Sequence, residues 1–178
     1  MIMGLSLSAF TTVHVVLSLS GLVTGFAVIA GLIGSRVLPA ITSLFLATTL
    51  LTSVTGFLYL LLFNRWGLGH TVGVLSLAVL APTLAALYLF RLAGVWRSIY
   101  AAGAVAAVAL NAVIAILQAF AKVSILRPFA DLPTIAATET VALIIFAVLG
   151  VMAVTRFRQA IGARTETTSP RLTWATSR

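Results

Sequence analysis

The 178-residue sequence contains no cysteine, which excludes disulfides, thiolate-bound metals, iron–sulfur clusters and cysteine nucleophiles. Acidic residues are also scarce, with three Asp and Glu against 11 Lys and Arg, for a net charge of +8. Charged residues make up only 8% of the chain and apolar residues 61%, and the mean hydropathy is +1.19. These values lie outside the range of soluble domains and predict an all-α integral membrane protein.

Sequence signatures of enzymes are absent as well. The chain has no glycine-rich phosphate loop, no G-x-S-x-G elbow, no His-Glu-x-x-His and no pair of carboxylates on one helix face. Ion-coupled transport normally requires an ionisable side chain near the bilayer centre, where a charge costs at least about 2.5 kcal/mol. Here Asp131, Glu139 and every Lys and Arg fall at predicted helix ends. We therefore expect neither an enzyme nor an ion-coupled transporter that acts alone.

The stretch of residues 41–63 has no charge and no proline, and it is long enough for one membrane crossing. On a helix, half of its circumference carries hydroxyls, a glycine and a tyrosine, namely Thr48, Thr49, Thr52, Ser53, Thr55, Gly56 and Tyr59. The other half is purely apolar. Because hydroxyls and small residues favour contact with another helix over contact with lipid, we expect this helix to be the central element of a bundle.

The apolar run of residues 9–33 predicts the first crossing. His14, Ser18, Gly21 and Gly25 are spaced so that they share one face of this helix. The pattern Gly21-x-x-x-Gly25 is typical of close helix contact. We interpret it as packing within the bundle in preference to a dimerisation site.

Three further crossings are predicted at residues 71–90, 99–123 and 141–155. Pro82 interrupts the first of these and predicts a kink. The last run is short, so four crossings plus an interfacial helix is an alternative to five. The bundle would occupy residues 1–156. Residues 157–178, which are basic and rich in Thr and Ser, would form a disordered cytoplasmic tail.

Basic residues are distributed unequally between the two predicted membrane sides. With five crossings, one side has eight: Arg36, Arg91, Arg97, Arg156, Arg158, Arg164, Arg171 and Arg178. The other side has three, Arg65, Lys122 and Arg127. This bias predicts a periplasmic N-terminus and a cytoplasmic C-terminus. We expect the bilayer and its anionic lipids at the cytoplasmic face as partners, and no nucleic acid.

The two histidines are predicted to lie near the outer surface, His14 one turn into the first helix and His70 at the start of the third. Together they could ligate a b-type haem with Gln118 nearby, or hold a metal ion with Glu139. We favour the alternative that His14 forms a hydrogen bond inside the bundle and that His70 is solvated at a turn. Thr138 and Glu139 are expected at the start of the last helix.

Two amide side chains lie within the predicted fourth crossing. Asn111 and Gln118 share a helix face with Lys122. Amides facing lipid are costly and often mark sites, but hydrogen bonds that stabilise the bundle are the simpler interpretation. The residues predicted to serve helix packing are Gly21, Gly25, Thr48, Thr52, Gly56 and Asn111.

Four segments of the chain resemble those of a group of small bacterial inner-membrane proteins: HVVLSLSGLVTGFAVIAGL from His14, LATTLLTSVTGF at 46–57, LAGVWRSIYA and LNAVIAILQAF. The resemblance covers His14 to about Val154. It implies a multi-pass protein of the bacterial inner membrane. No activity is attached to the group, so the resemblance implies a location and not a mechanism.

Three functions are compatible with these patterns. We favour a non-catalytic membrane component without a cofactor, either an accessory subunit that packs against a larger complex or a homo-oligomer. The second is a redox or metal-binding protein in which His14 and His70 hold one b-type haem or metal ion. The third is a small-molecule channel or carrier that uses the faces of Thr48, Thr52 and Asn111.

Overall fold

The structure, a computed structural model, describes the backbone of residues 6–63 and 66–168 and the side chains of residues 6–59 and 66–158. The regular structure of these residues is entirely helical, with five α-helices: α1 (Leu7–Ile33), α2 (Pro39–Phe63), α3 (Leu68–Leu84), α4 (Trp96–Lys122) and α5 (Leu132–Thr168). Five helices are long and apolar enough to cross a membrane. The predicted all-α bundle with five membrane-length helices is therefore confirmed, in preference to four with an interfacial helix.

The centre of the bundle is α4, which packs against α1, α3 and α5. Its small side chains are completely buried, including Ala101, Ala104, Ala107 and Val108. The prediction that α2 is central is therefore wrong. Alanine lets neighbouring helices approach α4 on several sides, whereas the hydroxyl-bearing residues of α2 occupy only one half of its circumference.

The two halves of α2 separate as the sequence pattern predicts. Thr48, Thr49 and Ser53 are buried, whereas Leu51 and Val54 are exposed on the outside of the bundle. Because α2 packs against α1 and α3, its hydroxyl groups are directed toward the interior. This half of α2 is therefore placed where it can line a site.

Helix α1 approaches its neighbours most closely at two glycines. A Cβ atom on Gly25 would lie 2.5 Å from a methyl carbon of Val108 and 3.0 Å from the ring of Phe45. A Cβ atom on Gly21 would lie 3.2 Å from Oγ1 of Thr49. The lack of side chains at these positions lets α1 pack tightly against α2 and α4.

Helix α5 begins directly after Asp131, earlier than the sequence predicts. The carboxylate of Asp131 accepts hydrogen bonds from the Thr134 backbone N–H at 2.9 Å and from its hydroxyl at 2.8 Å. Pro133 is compatible with the first turn because an N–H there has no partner within the helix. Thr138 and Glu139 lie farther along the helix, so the prediction that they begin it is wrong.

Helix α5 also extends beyond the predicted domain boundary at residue 156 and ends at Thr168. Just past that boundary, Phe157 is buried beside Tyr100, with ring centroids 6.2 Å apart. Residues 169–178 lie outside the described residues. For them, the disordered tail stays a prediction.

Helix α3 changes geometry after Pro82, where the sequence predicts a kink. Three residues later the chain enters a π-helical turn, Ala85–Leu89. A short connection then leads into α4, and Phe90 stacks on Trp96 across it with ring centroids 3.7 Å apart. Departures from α-helical geometry of this kind commonly follow proline.

Candidate functional site

A cavity of about 580 Å³ lies between the first four helices. Its walls come from the N-terminal halves of α1 and α3 and the C-terminal halves of α2 and α4, so it occupies one half of the bundle's length. Among the described residues, none of α5 lines it. The volume is within the range of small-molecule sites.

The inner end of the cavity is closed by a pair of polar residues, Ser18 on α1 and Asn111 on α4. The Ser18 hydroxyl donates to Oδ1 of Asn111 at 2.9 Å, and the Asn111 amide donates to the backbone carbonyl of Ser18 at 2.9 Å. Two turns farther along α1, Gly25 packs against Val108 and leaves no room for a side chain. The cavity therefore ends near the middle of the bundle.

His14 is held in the cavity wall by Thr55 of α2. Its Nδ1 lies 2.8 Å from the Thr55 hydroxyl, and that hydroxyl donates to the Leu51 carbonyl oxygen at 2.7 Å. Because a hydroxyl has only one proton, the His14 Nδ1–H is the donor toward Thr55. The Nε2 atom of a neutral His14 is therefore a hydrogen-bond acceptor.

His70 has the opposite arrangement at the start of α3. Its Nδ1 accepts a hydrogen bond from the backbone N–H of Gly67 at 3.0 Å. An accepting Nδ1 has no proton, so the proton of a neutral ring is on Nε2. This Nε2 atom is buried and has no hydrogen-bond partner among the described residues. The Nε2–H donor of His70 is therefore not used by the described part of the protein.

Five side chains of the described part contain a buried polar atom without a hydrogen-bond partner: Thr49, Thr52, His70, Arg97 and Glu139. Three of them, Thr49, Thr52 and His70, line this one cavity. Thr49 is only 3% exposed. Neither of the two Thr hydroxyls bonds to the backbone carbonyl four residues earlier, as those of Thr48 and Ser53 do. These atoms have almost no accessible surface, so a molecule in the cavity does not reach them in this arrangement.

The hydrogen bonding of His70 does not fit haem or metal ligation. A histidine that binds a metal through Nε2 normally donates its Nδ1–H to a neighbouring acceptor. The Nδ1 of His70 accepts instead, so ligation through Nε2 would require an imidazolate anion. Glu139 is not among the residues that line the cavity. Within the described residues, no three His, Asp or Glu side chains are grouped to hold a metal ion.

The structure brings together six of the residues that the sequence analysis assigned to ligand binding or helix packing. These cavity-lining residues are His14, Thr52, Gly56, His70, Asn111 and Gln118. Thr48, Gly21 and Gly25 are buried nearby and contribute to helix contacts instead. Glu139 is half-buried on α5 and does not join the set. The convergence of both histidines with Gln118, which the sequence could not establish, is therefore a result of the tertiary structure.

Sequence reasoning missed the contribution of α3 beyond His70. Gly73 and Ser76 follow His70 at intervals of three residues and line the cavity with it. This spacing places all three residues on one helix face, a signal that could have identified them. On α4, Lys122 lines the mouth of the cavity, in agreement with the face it shares with Asn111 and Gln118.

A second groove, of about 500 Å³, runs between α4 and α5. It is lined almost entirely by apolar and small side chains, among them Val105, Phe146 and Val151. A groove of this character suits lipid acyl chains, so the cavity between the first four helices is the candidate site for polar recognition.

No protein-family model matches the chain, and no curated protein or solved structure matches it at a significant level.

Proposed function

We propose that this chain is a membrane protein that binds a small molecule in the cavity between α1, α2, α3 and α4. The observation that carries the proposal is the cavity of about 580 Å³, which is lined by polar side chains from all four helices, among them His14, Ser76 and Gln118. Polar groups grouped around one cavity of an otherwise apolar bundle are typical of a small-molecule site.

The cavity walls support a ligand of mixed character. Alongside the polar groups, its walls include Val15, Leu19, Val72 and Ile114. Ligand sites of this size commonly combine apolar walls with a few polar groups that fix orientation. We therefore propose an amphipathic molecule with an apolar body and at least one hydrogen-bonding group.

Access to the cavity is from one end of the bundle. Gln118 and Lys122 are exposed and line it near the C-terminal end of α4, whereas Ser18 and Asn111 close the inner end. This arrangement supports a binding chamber over a continuous channel. The distribution of basic residues supports an orientation in which the open end faces the outside of the cell.

The proposal can be tested by filling the cavity. A Cβ atom on Gly56 would have only the His14 Cε1 atom near it, at 3.8 Å, so Gly56→Trp extends into the cavity. Ala47→Trp is the matched control, because Ala47 is on the same helix and exposed to lipid. The wild type and both variants are purified in lipid nanodiscs, and the small molecules released on denaturation are compared by mass spectrometry.

We expect one compound to be enriched with the wild type and Ala47→Trp and depleted by at least about tenfold with Gly56→Trp. Equal amounts of every released compound in the three preparations would contradict the proposal. A thermal unfolding curve for each variant shows whether Gly56→Trp is folded. If it is not, Gly56→Leu replaces it as the smaller filling substitution.

The function as an accessory subunit or homo-oligomer stays a prediction. Exposed apolar residues such as Leu51, Val141 and Val151 are compatible with a protein partner, but in a membrane lipid covers such residues equally well. The bacterial inner membrane as location is supported by the resemblance and by the charge bias, and it is likewise a proposal.

A further inference from the structure

Two accessible polar side chains at the mouth of the cavity indicate the charge of the molecule that binds there. We infer that the ligand is a single-chain amphipathic anion, with its carboxylate or phosphate group beside Lys122 and Gln118 and its apolar body extending into the cavity. This inference rests on the proposed small-molecule function and adds the chemical class of the ligand.

The first support is the position of Gln118 and Lys122 on α4. Both side chains line the cavity, and both are exposed, so a molecule at the mouth reaches them without any rearrangement. Residues four apart on a helix are neighbours, with about 5–6 Å between their Cβ atoms, so the two side chains reach the same ligand group. The ammonium group of lysine and the amide N–H of glutamine both donate hydrogen bonds to anionic oxygens.

The second support is the charge at this end of the cavity. Apart from the two histidines, Lys122 is the one ionisable side chain among the described residues that line it, and none of those residues is acidic. Arg127 lies at the same end of α4, where its Nε donates to the Ala121 carbonyl at 3.3 Å. The resulting positive potential attracts an anion to the mouth, whereas a cation would find no counter-ion along the cavity wall.

The third support is the apolar wall between the mouth and the closed end. Val15 and Leu19 of α1 line the cavity and are also exposed on the outside of the bundle, so an apolar body beside them stays in contact with lipid. At the closed end, Ser18 and Asn111 bond to one another. The cavity therefore does not require a second polar group at the far end of the ligand.

The length of the cavity indicates the length of the apolar body. Asn111 at the closed end and Lys122 at the mouth are separated by 11 residues of α4, which corresponds to about 16 Å along the helix axis. An extended saturated chain of about twelve carbons spans a similar distance. A chain of this length is therefore the appropriate probe.

The test uses four ligands that share one chain length and differ in the head group. Dodecanoate and dodecyl phosphate are anionic, 1-dodecanol is neutral and dodecylammonium is cationic. Binding to the protein in nanodiscs is measured by equilibrium dialysis at about pH 8.5, where a carboxylate is ionised and lysine is protonated. The signal of nanodiscs that contain folded Gly56→Trp is subtracted. Because this variant keeps Lys122, the subtraction removes both partition into lipid and general attraction to the protein surface.

We expect the wild type to bind the better of the two anions at least about fivefold more tightly than 1-dodecanol, and dodecylammonium most weakly. Lys122→Gln should reduce the affinity for that anion about threefold to fivefold and leave the affinity for 1-dodecanol unchanged. Lys122→Arg keeps the positive charge and should keep the preference. Arg127→Gln is the matched control, because it removes a positive charge at the same end from a residue that does not line the cavity.

The possible results separate this inference from the proposed function. Equal affinity for the anions and 1-dodecanol, tightest binding of dodecylammonium, or an anion preference that Lys122→Gln leaves intact would overturn the inferred ligand class. If binding of the preferred compound is still lost in Gly56→Trp, the proposed function stands. If none of the four compounds distinguishes the wild type from Gly56→Trp, the ligand class is overturned, and the comparison of released molecules decides the proposed function by itself. Preference for either anion supports the inference, and the tighter of the two shows whether the head group is a carboxylate or a phosphate.

Discussion

Ser18 and Asn111 join α1 to α4 through two reciprocal hydrogen bonds, each 2.9 Å long, at the closed end of the cavity. Asn111 is 9% exposed, so water competes poorly for these groups. Hydrogen bonds between membrane helices contribute about 0.6–2 kcal/mol each. This pair therefore both stabilises the bundle and sets the depth of the cavity.

We expect Asn111→Leu to lower the free energy of unfolding by about 1–3 kcal/mol, because it removes both hydrogen bonds and leaves the Ser18 hydroxyl unpaired. Unfolding in mixed detergent micelles measures this change. A double-mutant cycle with Ser18→Ala isolates the bond from the Ser18 hydroxyl to Asn111, because the Ser18 backbone carbonyl is kept, and the expected coupling is at least about 0.5 kcal/mol. Additive single-mutant effects would show that this side-chain hydrogen bond does not contribute to stability.

Gly25 should tolerate no side chain. In Gly25→Ala the new Cβ would overlap a methyl group of Val108 at 2.5 Å, so we expect a loss of about 1–3 kcal/mol in stability from overpacking. Gly69→Ala is the control, because a Cβ there meets nothing within 4 Å and alanine favours helix. A Gly25→Ala variant as stable as Gly69→Ala would contradict the close packing of α1.

Haem reconstitution should not produce a bis-histidine complex. The Nδ1 of His70 accepts from Gly67 and cannot support Nε2 as a neutral ligand while that hydrogen bond is present. Dithionite-reduced minus oxidised spectra of protein incubated with haem, together with metal analysis, provide the measurement. A low-spin six-coordinate spectrum that disappears in both His14→Ala and His70→Ala would show that the redox hypothesis is correct.

The stability of the folded protein should decrease at acid pH when Asp131, at the start of α5, is protonated. Hydrogen bonds from the backbone N–H and then the hydroxyl of Thr134 lower the pKa of Asp131 below its usual value. The ionised carboxylate therefore stabilises the folded state above the ordinary pKa of about 3.9, and this contribution is lost as the pH falls through the lowered folded-state pKa.

The variant for this test is Asp131→Asn, which keeps a capping oxygen but does not titrate. Thermal unfolding of both proteins from about pH 7 to about pH 3 gives the comparison. We expect the midpoint of the wild type to fall more steeply toward the acid end. Parallel curves would show that ionisation of Asp131 does not contribute to stability.

The orientation of the bundle can be measured by thiol labelling, since the chain has no cysteine of its own. Ala93 and Ser124 are exposed in the connections that precede and follow α4. If the positive-inside rule applies, a membrane-impermeant maleimide labels Ser124→Cys in intact cells, and labels Ala93→Cys only after permeabilisation. The reverse pattern would place the open end of the cavity in the cytoplasm.

Several features follow from the sequence because they depend on local composition and helical spacing. The apolar runs specify helices long enough to cross a membrane, since their backbone must satisfy its own hydrogen bonds in lipid. The alternation of Thr49 and Ser53 with Leu51 and Val54 specifies which side of α2 is buried. The start of α5 is not obvious from hydropathy, because Asp131 and Pro133 resemble a loop until their capping geometry is known.

Only the tertiary structure decides which helix is central and which polar residues meet. Spacing along one helix places Asn111, Gln118 and Lys122 on a common face, but it contains no information about the helix opposite. His14 and His70 come to one cavity because α1 and α3 both pack against α2 and α4. The Nδ1 of His14 donates to Thr55 of α2, whereas the Nδ1 of His70 accepts from the Gly67 N–H that precedes α3. The spacing of residues along one helix specifies neither contact.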